Sequence, residues 1–469
     1  MPDGGHAIEG LPGGLPGPAA AEPARRPRAA LFLLVCLVAG IAPHGLPAGL
    51  SLLPSLGLAT LLGAYTVRSV LLAPGGAAAP VAAMAGPPPA VDVVVAARDE
   101  EAVITRLVER VAALRWPAGL LHLWVVDDGS RDRTPELLAG LAERLPLLRV
   151  LERPRDAGGG KSGALNLVLS QLEGRWLLVL DADADLQPDV LERLIPYAEA
   201  GGWAAVQLRK AVVNADVNLL TRAQAMEMAF DAVIQQGRLA VGGVAELRGN
   251  GQLLLRDALR ACGGFHEATV TDDLDLSLRL LIAGQPIGVL WDPPVEEEAV
   301  LSLAALWRQR QRWAEGGLQR FLDYFSSLLT APIGAGRRLD LASFFTLQYV
   351  LPVMAVADLI GALITRTPPC SWPFSVVALS LSGLAIFKGC RRPVEGPPLP
   401  VMTLPNLLLG ILYLIHWFVV IPWVVLRMAL LPKRLIWAKT LHLGGSAAEG
   451  ATDGAAEGPA ELSPEPGQA

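Results

Sequence analysis

Charge is scarce in this chain. Acidic and basic residues fill 18% of its 469 positions, where soluble domains carry about 25%. Apolar residues make up 52% and the mean hydropathy is +0.41. That balance excludes a disordered or coiled-coil chain and points to membrane spans. A basic surplus is also missing: 39 basic against 45 acidic residues leave a net charge of −6, so no global field favours nucleic acid as a partner. Cysteine is rare. Cys36, Cys262, Cys370 and Cys390 lie far apart and form no CxxC pair, so neither a disulfide framework nor a zinc site is indicated. Reduced thiols, facing the cytosol or lying in the bilayer, are expected.

In places charge is absent altogether. No formally charged residue occurs between Ala29 and Val67. A span takes about 20 apolar residues, so residues 29–75 are read as two transmembrane helices, with the turn in the Pro/Gly cluster Pro43–Gly49. Residues 1–28 are rich in Gly, Pro and Ala and carry Arg25, Arg26 and Arg28. They show no periodicity and read as a disordered leader. A cleavable signal peptide is the alternative, but the apolar region runs far past the usual h-region. Residues 76–90 read as a linker. Three further apolar stretches, Leu341–Thr365, Thr367–Phe387 and Gly396–Leu426, give about three spans within 339–430. Residues 431–443, with Lys433, Arg434, Trp437, Lys439 and His442, form a basic segment suited to a membrane surface, and 444–469 a disordered tail.

Basic residues collect on the cytoplasmic side of membrane spans. Arg25, Arg26 and Arg28 place the leader and residues 91–324 in the cytoplasm, and Arg337, Arg338, Lys388, Arg391 and Arg392 agree. One more full crossing would put Lys433, Arg434 and Lys439 outside, against the rule. Pro405 and Pro422 leave a re-entrant segment or two short helices open. An integral, multi-pass protein with its soluble domain on the cytoplasmic face is expected.

From 91 to 324 the pattern changes. VDVVVAA (91–97), LHLWVV (121–126), LRVLE (148–152), WLLVLDAD (176–183) and WAAVQLR (203–209) read as buried strands. Between the first two, Ile104, Leu107, Val108, Val111 and Leu114 follow helical spacing. Such alternation predicts an α/β domain with a doubly wound, mostly parallel sheet. In such sheets ligands bind beyond the carboxyl ends of strands, and charged clusters fall there. Asp127 and Asp128 follow the second strand, where they suit a base or ribose as well as a helix N-cap. Asp181, Asp183 and Asp185 close WLLVL. On an extended chain they share one side, and like charges so placed call for a cation, Mg²⁺ or Mn²⁺, or else a solvated turn. Asp272 and Asp273 open a helix, as caps or as a general base with a charged neighbour. Trp307 to Trp313, WRQRQRW, is either an interfacial anchor or a diphosphate clamp.

The order and spacing decide more than any single cluster. DDGS, a DAD about fifty residues on, a TDD about ninety further and a QxxRW (Gln309, Arg312, Trp313) about thirty-six beyond that resemble the family 2 inverting glycosyltransferases of GT-A fold. Ala97-Arg98-Asp99-Glu100 is similar to that family's opening nucleotide-sugar segment, with Arg98 where Asn is common, and GGKSGALN (159–166) to its GKxGALN loop. The resemblance implies a GT-A domain over 91–324. It also implies uridine at Asp127 and Asp128, with Arg98 and Lys161 on the donor side. Mg²⁺ (or Mn²⁺) is implied on Asp183 with Asp181 beside it, Arg312 at the leaving diphosphate, and Asp273 as base next to Asp272. Gly249 and Asn250, flanked by Arg248 and Gly251, would line the acceptor side, and Gln309 and Trp313 its entrance. The segments AVQLRKAVVNA (205–215), AELRGNGQLLLRDAL (245–259), RWAEGGLQRFLDY (312–324) and PKRLIWAKTLH (432–442) are similar to the family's diacylglycerol-glucosylating branch of cyanobacterial type. That likeness implies UDP-glucose, diacylglycerol and membrane lipids as partners, and glycolipid biosynthesis. A processive polysaccharide synthase is the alternative. Asp358, inside an apolar run, is a candidate intramembrane polar site or a headgroup-level helix end.

Overall fold

A computed structural model of the protein describes residues 22–47, 49–72, 84 and 86–431. The expected leader up to residue 21, most of the linker, and the basic segment and tail from residue 432 lie outside the described residues.

Eight strands form one sheet: β1 (Val91–Ala97), β2 (Leu121–Asp127), β3 (Leu148–Glu152), β4 (Trp176–Leu180), β5 (Asp185–Leu186), β6 (Ala205–Val212), β7 (Gln252–Leu255) and β8 (Ile287–Glu297). Their order is β3-β2-β1-β4-β7-β6-β8-β5. Every residue of β1 is buried, as in a strand covered on both faces. Val91, Val93 and Val95 pack on one side with Ile104, Leu107, Val108 and Val111 of the helix Ile104–Ala112. Val94 and Ala96 pack on the other with Leu165 and Val168. All five strands read from the sequence are present. From β3 to β4 the sheet is parallel. Beyond β4 it is mixed, because the short β7 runs antiparallel to both β4 and β6.

Five helical segments among the described residues are long and apolar enough to cross a membrane: Arg25–Gly45, Leu53–Leu72, Ala335–Thr365, Trp372–Cys390 and Leu404–Leu430. Buried ion pairs fasten them to the domain. Asp340 receives Arg238 at 2.7 Å, the Val244 amide at 3.0 Å and the Tyr65 hydroxyl. Arg25 and Arg427 both reach Glu315 of the helix Leu303–Asp323. At the opposite ends of the segments, Asp358 is buried. Its carboxylate accepts from the amides of Cys370 (2.7 Å) and Ser371 (3.1 Å) and from the Ser371 hydroxyl (2.7 Å), so it caps the helix Trp372–Cys390. His44 Nε2 lies 2.9 Å from its Oδ1 and Cys370 Sγ 3.8 Å from His44 Nδ1.

Candidate active site

Parallel strands β1, β2 and β4 end at Ala97, Asp127 and Leu180, with Asp127 opposite Ala97 and Leu180 opposite Val95, so the charged residues at and past their ends gather along one edge of the sheet. At the β2 end, Asp127 accepts from the Ser130 amide at 3.2 Å and from its hydroxyl. The next helix starts at Thr134, whose amide is taken by Asp132 at 3.0 Å, so neither Asp127 nor Asp128 is spent as its cap. Asp128 pairs with Arg153 at 2.8 Å and with Arg98 at 3.5 Å. Burial raises both carboxyls, and for Asp128 the two arginines pull the other way. Gly129 makes the turn at φ +68°, and a Cβ there would stand 2.5 Å from the Arg155 nitrogen.

At the β4 end, the Asp181 amide donates to Asn250 Oδ1 at 3.1 Å. Its carboxylate takes Lys161 Nζ at 2.5 Å, from the first turn of the helix Gly160–Val168. Burial disfavours the Lys161 ammonium, yet Asp181 and Asp272 hold its pKa above the usual lysine value. The chain then turns, with Ala184 N on Asp181 O at 3.1 Å. Asp181, Asp183 and Asp185 therefore do not form the expected row on an extended chain. Asp185 enters β5 and pairs with Arg110 at 3.1 Å, while Asp183 Oδ2 faces the Glu298 amide at 3.5 Å. Among the described residues, the one group of three metal-type side chains is His44, Asp358 and Cys370, far from these acids in the fold. The β4 end thus offers two carboxylates rather than a closed cage. Such a donor set fits Mg²⁺ or Mn²⁺, which draw their remaining oxygens from phosphates and water.

Asp272 and Asp273 open the helix Asp272–Ile282 behind the N-cap Thr271. Burial, then the Asp272 charge, pushes Asp273 up to about 6. Gly249 sits beside Asp273 at φ +86°, a backbone conformation that favours glycine. Asn250 is fully buried and spans from Asp181 to Glu297, 3.4 Å from its Nδ2. Arg312 is lowered by burial against the opposing pull of Asp181, Asp273 and Asp272. One electrostatic cluster therefore joins Lys161, Asp181, Asp272, Asp273 and Arg312. Gln309 Oε1 accepts from Arg310 Nη1 at 2.9 Å. The Trp313 ring has the Arg310 guanidinium 3.9 Å above it.

Three charged neighbours escaped the reading of the sequence, and a fourth, Arg310, was read only as part of WRQRQRW. Arg153 follows the third strand, so the carboxyl-end rule could have found it. Lys210 and Glu297 pair at 2.7 Å but sit inside or beside strands, with no local signal. Arg310 hides within QxxRW, 1% exposed, and meets Glu227, which also accepts from Tyr413 (2.9 Å) and Trp417 (3.0 Å).

A family profile described as "Glycosyltransferase like family 2" matches residues 87–316. A curated β-monoglucosyldiacylglycerol synthase of Synechocystis sp. is 47% identical over 362 residues, 76% of this chain and 75% of the relative. One of Trichormus variabilis is 42% identical over 424 residues, 90% of each chain. Among solved structures, a mannosyltransferase of Pyrobaculum calidifontis in complex with GDP-Man and Mn²⁺ superposes with a TM-score of 0.50 at 19% identity. The match covers 77% of this chain and 99% of that one, a likeness of fold. The identity to the Synechocystis and Trichormus relatives, 47% and 42% along most of the chain, together with the profile match, settles the kinship: the chain belongs to glycosyltransferase family 2.

Proposed function

We propose that the chain transfers glucose from UDP-glucose to the free hydroxyl of 1,2-diacylglycerol with inversion, giving a β-monoglucosyldiacylglycerol. The observation that carries this reading is Asp273, a buried acid raised to about 6 and set among Lys161, Arg248 and Asp272. Its helix packs on Leu303–Asp323, which is itself packed against the apolar helix Trp417–Leu430. A base so placed suits a hydroxyl arriving from the bilayer. The names of the relatives in Synechocystis and Trichormus support the sugar and the acceptor.

In this reading Asp127 and Asp128 hold the uridine, with Arg98 and Arg153 orienting Asp128. Lys161 and Arg312 take up charge on the departing UDP. Asp183 with Asp181 would hold Mg²⁺ or Mn²⁺, which when bound neutralises the diphosphate. Asp273 receives the proton of the lipid hydroxyl as that oxygen attacks the anomeric carbon. The carbon–oxygen bond to UDP breaks on the opposite face and UDP leaves with the electron pair. One displacement thus turns an α-linked donor into a β-glucoside. Gly249, Asn250, Gln309 and Trp313 border the acceptor side. Residues 91–324 act at the cytoplasmic face, where UDP-sugar meets lipid, and the flanking spans hold them there.

The test uses purified protein in detergent–lipid micelles with diacylglycerol, Mg²⁺ and labelled UDP-glucose, UDP-galactose or UDP-N-acetylglucosamine. Glucose label in one β-linked glycolipid, lost with EDTA, is the expected result. Label in insoluble polymer, with none in lipid, would replace this reading by a polysaccharide synthase.

A further inference from the structure

Lys210 has no part in the mechanism above, yet its amine points into the cluster. It follows a break in register between β6 and β8, where Leu208 pairs with Leu290 but Lys210 with Val295. Such irregularities re-aim side chains. Arg209 turns to Asp292 at 2.8 Å and to the Trp291 carbonyl at 2.9 Å. Lys210 instead places Nζ 2.7 Å from Glu297 Oε2 and 5.8 Å from the centre of the Trp313 ring. Glu297 is tied through Asn250 to the Asp181 amide. Asp181 and Asp273 are both charged neighbours of Lys210.

The sheet supplies a ruler. The uridine-side acids end β2, the metal-side acids end β4, and the order continues β4-β7-β6-β8. Adjacent strands lie about 4.8 Å apart, so β6 stands about 10 Å past β4, on the side away from β2. A nucleotide running from Asp128 to a diphosphate at Asp181 carries its sugar in that direction. Lys161, Lys210 and Arg312 are all charged neighbours of Asp181, and of the three Lys210 is the one carried by β6.

We infer that Lys210 and Glu297 form the subsite that grips and selects the donor's hexose. The ammonium donates to one ring hydroxyl and the carboxylate accepts from another. One donor-only and one acceptor-only group make the subsite sensitive to hydroxyl orientation, because an epimer leaves a buried charged group unmatched. The inference rests on the reading of the chain as a nucleotide-sugar transferase and adds to it the residues that choose the sugar.

The test is calorimetric titration of the purified full-length protein in micelles with Mg²⁺, using UDP, UDP-glucose and UDP-galactose as probes. In Lys210→Met and Glu297→Gln the glucose-to-galactose affinity ratio is expected to fall about tenfold or more, with UDP affinity changed less than about twofold. Lys210→Arg, which keeps the charge but changes its reach, should keep UDP affinity and still alter the ratio. Unchanged ratios in all three variants would overturn the inference. So would parallel loss of UDP and UDP-glucose affinity in Lys210→Met with the ratio intact in Lys210→Arg, because Lys210 would then serve the diphosphate. Glycolipid formation is read separately on the unmodified protein. Its absence would refute diacylglycerol as acceptor and leave the titrations to decide the subsite.

Discussion

Asp273 has two features of a working base: it is buried, and its pKa is pushed up to about 6 by that burial and by Asp272. A carboxylate accepts a proton only when ionised, so kcat/KM should climb about tenfold per pH unit below pH 6 and level off above it. Asp272→Asn removes the like charge, which lowers the Asp273 pKa and moves the acid limb of the profile to lower pH; a limb that stays in place would remove Asp272 as its cause. Asp273→Asn should cut kcat by about 10²–10⁴-fold while sparing UDP binding, as read by single-turnover assay beside a UDP titration. Asp183→Ala should erase the gain in UDP affinity that Mg²⁺ provides; an undiminished gain would take Asp183 out of the metal site. These acids were legible in the sequence because each follows an apolar strand or opens a helix. Their partners were legible only in part. Which basic residue faces a carboxylate depends on crossovers that spacing does not encode, so Lys161 in its loop was noticed while Lys210, within the strand-like AVQLRK, was not.

Elements explain why the pieces hold still. The helix Leu303–Asp323 carries Gln309, Arg312 and Trp313, and Arg310, from the same helix, is buried against Glu227 beneath Trp313. A second buried knot, Asp340 with Arg238, Tyr65 and the Val244 amide, joins two apolar segments to the loop leading to Gly249. Removing one partner of such a pair leaves a buried charge uncompensated, at a cost of about 3–5 kcal/mol. Asp340→Ala should therefore lower the midpoint of thermal unfolding in detergent by several degrees, whereas Asp189→Ala, an exposed-side partner of Arg115 at 3.8 Å, should shift it little. The strands β1 to β4 and the helix after β1 could be read in advance because apolar runs and 3.6-residue periodicity record two-sided burial. β5, β7 and β8 could not. β5 is two residues long, β7 sits behind the glycines of the Gly249–Gly251 turn, and Pro293 and Pro294 interrupt β8, a signal that argues against a strand.

At the scale of the whole molecule, the question raised by the sequence is whether the last apolar stretch crosses completely, which would set Lys433, Arg434 and Lys439 against the positive-inside rule. The first four segments each have one end at the domain and one end away from it. Arg25 reaches Glu315 while His44 meets Asp358. Tyr65 reaches Asp340 while Ser55 accepts from the Phe374 amide at 3.3 Å. Lys388 holds the Val70 carbonyl at 2.6 Å while Ser371 sits on Asp358. Leu404–Leu430 differs. The chain just before it is pinned to the domain, Pro393 O by Trp291 at 3.2 Å and Glu395 by Arg193 at 2.6 Å. Its middle is tied to Glu227 through Tyr413 and Trp417. Its end returns to the domain helix, with Arg427 on Gln311 at 3.1 Å and Arg26 on the Leu430 carbonyl at 2.8 Å. Both ends therefore stand on the domain side. The stretch consists of two helices, Leu404–Leu414 and Trp417–Leu430, which at about 1.5 Å per residue are each too short to cross alone, although the whole passes the length test for a span. We propose that this segment dips and returns, the re-entrant alternative that reconciles the sequence with the positive-inside rule. The expected outcome in sealed, oriented vesicles is that a tag fused after Ala469 is cleaved by added protease from the same side as the domain loop around Arg131. A protected tag beside a digested domain would mean that Leu404–Leu430 crosses completely, and that its contacts with Glu227, Gln311 and Arg26 are not those of the membrane-embedded protein.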